Sequence, residues 1–404
     1  MGDETPRNLK EMLSEAKDTS ELMVDLAYAA LYYNAPDIAE ELVRLEEHLN
    51  ELTFDMRALC LVAARSHRDA EQMAGVLQVV GAVEKIGNAA VDIGKIVTRR
   101  LGIPAGLIAD LSQADEIVTR IRVREGSEAD SRSLEALQLP TESGMRVIGI
   151  RRGIEWIYDP GGDLVVVADD VLFLRGSPDG IPGARELCGA PEWEQPAFDP
   201  DEDLTDLGRA IDVLVEMKNV SEASVGLAYS ALLFRDRGLA AEVCRLEDRM
   251  DEMREQLELW TLRAAADRID PRPLRGLLHL GVASESIGDA AMEMVWIIEE
   301  DEDIHPVFAL SLDESDETVM RVGVGPGSRA DGVSLKELGV ELETGVYLLA
   351  LRRGGRWIYH PRGSTRLEAG DELIGVGPPE GLPLIMELCG DEGLLNQVEE
   401  GVHG

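Results

Sequence analysis

The chain repeats itself at a fixed offset: residue n resembles residue n+201, without a gap, from about residue 17 to residue 189. KDTSELMVDLAYAAL (17–31) pairs with KNVSEASVGLAYSAL (218–232), and RLEEHLNEL (44–52) with RLEDRMDEM (245–253). RRGIEWIYDP (151–160) pairs with RRGGRWIYHP (352–361), and ELCG closes both copies. A duplication this regular constrains the fold more than composition does. Whatever one copy forms, the other must form too, and covalent linkage holds like surfaces near each other. The expectation is an intrachain pseudo-dimer in which like part packs on like part, with a homodimer as a further level of assembly.

Each copy has two parts of different periodicity. Residues 8–33 keep apolar side chains at helical spacing and end near Asn34-Ala35-Pro36; 37–64 continue the period, with Pro36 suited to a first turn. Asp69 opens a third helix reaching about Arg100, and its counterpart Asp270 is followed by Pro271, an N-terminal signature. Three such helices joined by short turns predict an antiparallel bundle. The second part alternates instead: IVTRIRV (117–123), MRVIGIRR (145–152), EWIYDP (155–160) and VLFLRG (171–176) read as strands, with short helices at SLEAL and before ELCG. The fold class expected is therefore α+β, two three-helix antiparallel bundles alternating with two small α/β modules. The boundaries are 1–104 (bundle), 105–189 (module), 190–205 (acidic, proline-rich linker), 206–305 (bundle), 306–390 (module) and 391–404 (tail).

The formal charge of −39, with only six lysines among 39 basic residues, reads as solvation in high salt, as in a halophile, because ionic strength screens the self-repulsion. It argues against nucleic acid, which needs a basic footprint. MGDETPRNLKEML has neither the basic nor the apolar stretch of a signal peptide, and no run of 18 apolar residues occurs. A cytoplasmic protein is expected, peripheral to a membrane only through a partner. Cys60, Cys188, Cys244 and Cys389 lack metal-ligand spacing and read as reduced core residues. No GxSxG is present and the six histidines do not recur between the copies, so no enzyme is expected.

The helix at 80–97, VGAVEKIGNAAVDIGKIV, recurs as LGVASESIGDAAMEMVWI (281–298). EKIGNAAVDI and ESIGDAAMEM resemble the E-R-I-G-D-x-x-x-N-I signature of the PhoU family, built from three-helix repeats. The α/β module resembles the C-terminal regulatory domain of TrkA-type potassium-uptake proteins, also called RCK-C. GSRADGVSLKEL (327–338), Arg353-Gly354, Pro361 and GDELIGVG (370–377) carry that likeness. The first copy departs from it, with Ser131-Arg132 at the position of the family glycine and Asp169-Asp170 in place of Gly-Asp. PhoU proteins are metal-binding regulators of phosphate transport. RCK-C domains are dimeric ligand sensors on cation channels and transporters, some binding cyclic di-AMP. The resemblance thus implies a regulator of membrane transport.

Two sets of residues are candidates for ligand chemistry. Glu84, Asn88 and Asp92, matched by Glu285, Asp289 and Glu293, form a ridge at i, i+4 and i+8 on each third helix. Glu47, Glu51, Asp248 and Glu252 add carboxylates from the second helices. Facing one another, these could hold a divalent or iron-type ion, as the PhoU resemblance implies for the third-helix positions; solvated acidic faces are the plainer alternative. Arg151-Arg152 and Arg352-Arg353 stand at strand ends beside Arg120 and Arg321, suited to a phosphate-bearing ligand such as a nucleotide, or to ion pairs with the abundant carboxylates. Trp156-Ile157-Tyr158 and Trp357-Ile358-Tyr359 read as sheet core or a pairing face, and Gly126-Ser127 and Gly327-Ser328 as turns. The function expected is sensing of a small ligand by the RCK-C modules to control a membrane cation transporter or channel subunit, for potassium before other cations. The alternative is a metal-binding adaptor in phosphate signalling, and a metal-storage or redox helical protein ranks below both.

Overall fold

In the computed structural model, residues 8–111, 114, 117–158, 160–192, 205–266, 271–299, 307, 318–359, 361 and 363–391 are described; most of the expected linker and tail lies outside them. The first copy forms α1 (Leu9–Tyr32), α2 (Pro36–Ala63) and α3 (His67–Thr98). Asn8 caps α1 through a box closed by Glu11, its side-chain oxygen accepting from the Glu11 amide at 2.9 Å. Pro36 occupies the first turn of α2, where a missing N–H costs nothing. Ser66, not Asp69, caps α3, so this helix starts two residues before its expected first residue. Leu42, Leu45, Leu49, Leu52 and Met56 line the buried face of α2 at alternating steps of three and four. The spacer α4 (Ala105–Leu111) had no strong signal in the sequence.

A four-stranded antiparallel sheet follows, in the order β1 (Ile117–Arg122), β4 (Val171–Gly176), β2 (Met145–Arg152), β3 (Glu155–Tyr158). Short helices α5 (Leu134–Leu137), α6 (Leu139–Ser143) and α7 (Ile181–Leu187) complete the module. Alternation along the strands sends Ile121, Val147, Ile150, Leu172 and Leu174 to a core shared with Ile181, Ala184 and Cys188. The second copy repeats the plan. Its helices are α8 (Asp206–Phe234), α9 (Arg237–Ala266) and α10 (Leu274–Glu299). Its sheet runs β5 (Thr318–Gly323), β8 (Glu372–Gly377), β6 (Tyr347–Arg353), β7 (Arg356–Tyr359), with α11 (Leu335–Leu338), α12 (Val340–Thr344) and α13 (Gly381–Cys389). The α+β architecture read from the sequence is the one observed, strand for strand.

The chain divides into two compact units, one from residues 1–114 and 195–315 and the other from 115–194 and 316–404. Each unit takes one part from each copy, so bundle pairs with bundle and module with module. In the helical unit, α3 and α10 run antiparallel across a pseudo-twofold axis. Gln78 Nε2 donates to the Glu293 carbonyl at 3.0 Å, and its counterpart His279 Nε2 to the Asp92 carbonyl at 3.1 Å. A second reciprocal contact joins α1 and α8: Lys17 Nζ lies 5.4 Å from the Tyr229 ring and Lys218 Nζ 5.1 Å from the Tyr28 ring. Gly87 and Gly94 of α3 serve its own bundle, since a Cβ on Gly87 would come within 2.6 Å of Leu49 and one on Gly94 within 2.8 Å of Leu42, whereas Gly75 makes room for Ile297 of α10.

In the module unit, α6 packs on α12. A Cβ on Gly345 would lie 2.9 Å from Pro140 Cβ, and one on Gly144 3.5 Å from Glu341 Cβ. Both glycines have positive φ, +69° at Gly345 and +67° at Gly144, and at Gly345 close approach asks for the same residue as the backbone does.

The two departures of the first module from its family pattern keep the same turns. Ser131 adopts φ +66° where Gly332 has +80°, and Asp169 adopts +70° where Gly370 has +92°. A side chain in that region costs about 1 kcal/mol. Asp169 recovers little through Arg122, 3.3 Å away, because both groups are well exposed. Asp169→Gly is therefore expected to stabilise the first module by about 0.5–1 kcal/mol, read as a higher urea midpoint; an unchanged midpoint would show the turn is unstrained.

Candidate functional site

The strand-end arginines are engaged within their own modules. Arg152 donates from Nε and Nη2 to Asp170 at 2.9 and 2.8 Å, and Arg353 to Asp371 at 2.7 and 2.6 Å. Both aspartates are almost fully buried, at 1% and 2% exposure. Each also accepts a backbone N–H from the preceding turn, Val167 at 3.0 Å and Glu368 at 2.8 Å. Arg152 and Arg353 further donate to the carbonyls of Val165 and Arg366. The pair ties the end of β2 or β6 to the start of β4 or β8, a fork-to-fork lock made twice.

Arg321 and Arg352 share one carboxylate, Glu372, which stands where the first copy has Val171. Arg352 lies 5.5 Å from the Trp357 ring and Arg151 6.0 Å from the Trp156 ring. Arg120 stands opposite Phe173 in the β1–β4 register. Trp156 packs on the fully buried Phe173 at 4.9 Å, which agrees with the sheet-packing reading of the aromatic motif. The glycine turns are also structural: Asp130 accepts from the Gly126 and Ala168 amides, both at 3.0 Å, and Asp331 from Gly327 and Ala369 at 2.9 and 3.1 Å. Those amides hold the Asp130 carboxyl below the ordinary range, the Gly126 bond contributing most.

A small cleft, partly open to solvent and with about 30 Å³ of space that water can reach, lies between the two modules. It is lined by the same six positions of each copy, 201 residues apart, so it straddles the pseudo-twofold axis. Its charged lining is Arg146 and Arg175 from the first module and Glu341 from the second; Tyr347 and Val376 occupy the places of the two arginines. None of the six arginines marked in the sequence is among its lining residues. Sequence reading missed Arg146 and Arg175 because neither recurs: without the three-dimensional pairing they look like ordinary strand residues.

The acidic ridges are unequal. In the first copy Glu84 pairs with Arg57 and Asp92 with Lys95 at 2.6 Å, while Glu293 of the second ridge is reached by Lys85 at 2.5 Å. Around Glu285 and Asp289, α9 contributes Glu247 and Asp251, and Arg254 lies 3.6 Å from Glu285. Burial first, then the neighbouring carboxylates, holds Glu247, Glu285 and Asp289 above the usual carboxylate range. The first copy has Asn50 and Asn88 where the second has Asp251 and Asp289. Asn88, Glu47, Glu51, Asp248 and Glu252 lie on the same helices. Among the described residues no group of three or more His, Cys, Asp or Glu side chains is arranged to hold a metal ion. The four cysteines are free, and burial pushes the Cys188 and Cys389 thiols up to about 11 and about 12.

The TrkA-C domain family matches residues 118–189 and 319–390, and the PhoU domain family residues 13–97 and 214–298. Among solved structures, PhoU from Pseudomonas aeruginosa is similar at 13% identity over 72% of this chain and 95% of its own, with a TM-score of 0.39. The RCK domain of GsuK is similar at 14% identity over 70% of this chain and 63% of its own, TM-score 0.18. The GsuK channel bound to NAD gives 14%, 77%, 64% and 0.19 for the same quantities. No curated protein matches.

Proposed function

This chain carries two PhoU domains and two TrkA-C domains, and from that premise we propose that it is a cytoplasmic, non-catalytic sensor that controls a membrane cation transporter, potassium being the favoured ion. Both domain types are regulatory. The observation that carries the reading is the module pair, which meets across a pseudo-twofold axis and leaves a charged cleft on it. A small ligand in that cleft touches both modules at once, so it favours one relative arrangement over another. Such a preference is the physical requirement for coupling, and about 1–3 kcal/mol is typical. Among the described residues no helix is long and apolar enough to cross a membrane, so action at a membrane goes through a partner. The raised Cys188 and Cys389 thiols, protonated at neutral pH, support the non-catalytic reading.

The crowded carboxylates of α9 and α10 favour a second reading, a metal-loaded adaptor in phosphate signalling. Deleting the gene separates the two: the sensor reading expects altered potassium uptake with phosphate uptake unchanged, and the reverse result would replace it with the adaptor. A companion measurement addresses the cluster. Manganese or magnesium raising the thermal midpoint of the wild-type chain, with no rise in Asp289→Asn, favours the adaptor. Without metal, Asp289→Asn is expected to stabilise the chain by about 0.5–1 kcal/mol at neutral pH, because a carboxyl whose folded pKa is raised costs stability above that pKa.

A further inference from the structure

We infer that the chain pairs with a second copy of itself through its two middle helices, the outer end of α2 in one copy lying antiparallel on that of α9 in the other. The inference does not depend on what the modules sense. Phe54, Ala58, Leu61 and Val62 fall at i, i+4, i+7 and i+8, so they share the outer face of α2, away from the face that Leu49, Leu52 and Met56 bury. Phe54, Leu61 and Val62 are between 70% and 76% exposed. The equivalent turns of α9 show Leu259 and Leu262, 47% and 67% exposed. Large apolar side chains grouped on one exposed face mark a surface that another surface covers.

Charge selects the occupant. From Met56 to Arg68 the chain has Arg57, Arg65, His67 and Arg68 and no carboxylate, although 78 of its 404 residues are acidic. The same turns of α9 carry the opposite sign, with Glu252, Glu255 and Glu258 exposed. Pairing α2 with α2, or α9 with α9, sets like charges together, whereas α2 on α9 sets opposite charges together. Seating Leu61 on Leu259 in antiparallel helices places Leu262 over Ala58 and Phe54 over Ala266, a large side chain against a small one each time. It also brings Arg65, just past the end of α2, to the turn of Glu252 and Glu255. Arg57 and Arg263, which fall in register, are engaged at home, by Glu84 and by the Trp260 ring. Each chain offers one α2 and one α9, so two copies can make the contact twice, reciprocally. Long-range repulsion between two chains of charge −39 is screened in molar salt, where the Debye length is about 3 Å, while charges in contact still act.

Sedimentation equilibrium of the full chain in molar potassium chloride, over the micromolar range, is expected to show a dimer. Phe54→Ser/Leu61→Ser should raise the dimer dissociation constant at least ~10-fold. The thermal midpoint of the dissociated chain should hold, because both side chains lie outside the bundle core. Arg65→Glu and Glu252→Arg/Glu255→Arg should each weaken self-association at least ~10-fold. An equimolar mixture of those two variants should recover the dimer, since each then meets its opposite at both contacts. A wild-type chain that stays monomeric throughout overturns the inference and leaves the face to another protein. A dimer indifferent to the two serines overturns it as well, and so does a mixture that associates no more tightly than its components.

Discussion

Arg353→Ala is expected to cost the second module about 3–5 kcal/mol, and Asp371→Ala clearly less. The difference comes from what each truncation leaves behind. Without Arg353, the Asp371 carboxylate stays 2% exposed and keeps one backbone donor, Glu368 N–H, against a full negative charge. Without Asp371, the Arg353 side chain, already about a third exposed, still has Glu368 Oε1 at 2.8 Å and solvent within reach. The same asymmetry holds for Arg152 and Asp170 in the first module. Trp357 sits on the adjacent strand and reports the loss by fluorescence in urea. Hydrogen exchange should show residues 318–377 losing protection while the helices of 9–98 keep theirs. Equal costs for the two single variants would mean that burial of the aspartate is not the controlling quantity. Arg353→Met/Asp371→Leu should recover most of the loss, because an apolar pair of similar volume needs no compensation.

Lys17→Met carries the next largest effect, a loss of about 3 kcal/mol from the helical unit, with Lys218→Met close behind. Lys17 is buried and donates to Glu21 Oε2 at 2.8 Å; Lys218 donates to Glu222 Oε2 at 2.6 Å. Each also presents its ammonium to a tyrosine of the opposite copy, and each tyrosine hydroxyl is buried beside serines, Tyr28 lying 3.1 Å from Ser284. Removing one lysine strands a glutamate in the seam between bundles. Burial pulls the Lys17 pKa down, but Glu21 and Asp18 more than offset it, so the folded value is above 10.5. Its contribution is therefore complete below about pH 10 and is lost as pH rises through the folded value. A urea series from pH 6 to pH 9 should find the Lys17→Met deficit constant. Lys17→Met/Glu21→Leu should regain most of the stability, and a single variant losing under ~0.5 kcal/mol would show that the seam does not depend on its ion pairs.

The sheet strands and the two bundles were legible because they rest on local signals. Period-two alternation in VLFLRG, the three-and-four spacing from Leu42 to Met56, and Pro36 at a first turn each act within a few residues. The glycine turns were legible for the same reason, and their first-copy substitutes, Ser131 and Asp169, hold the same positive φ at a local cost. The identity of the charge partners was not legible. Arg152 and Arg353 read either as ligand contacts or as members of ion pairs, and only folding set a particular buried aspartate, 18 residues further on, against each of them.

The 201-residue offset by itself determined that one unit is made twice and that like units have like surfaces to offer. Only the tertiary structure decided which positions fall on the pseudo-twofold axes. There each position meets its own duplicate, and a difference that is neutral along the chain, arginine against tyrosine at 146 and 347, becomes the two walls of one cleft. Repetition is a property of sequence, whereas opposition across an axis depends on distances that the chain acquires on folding.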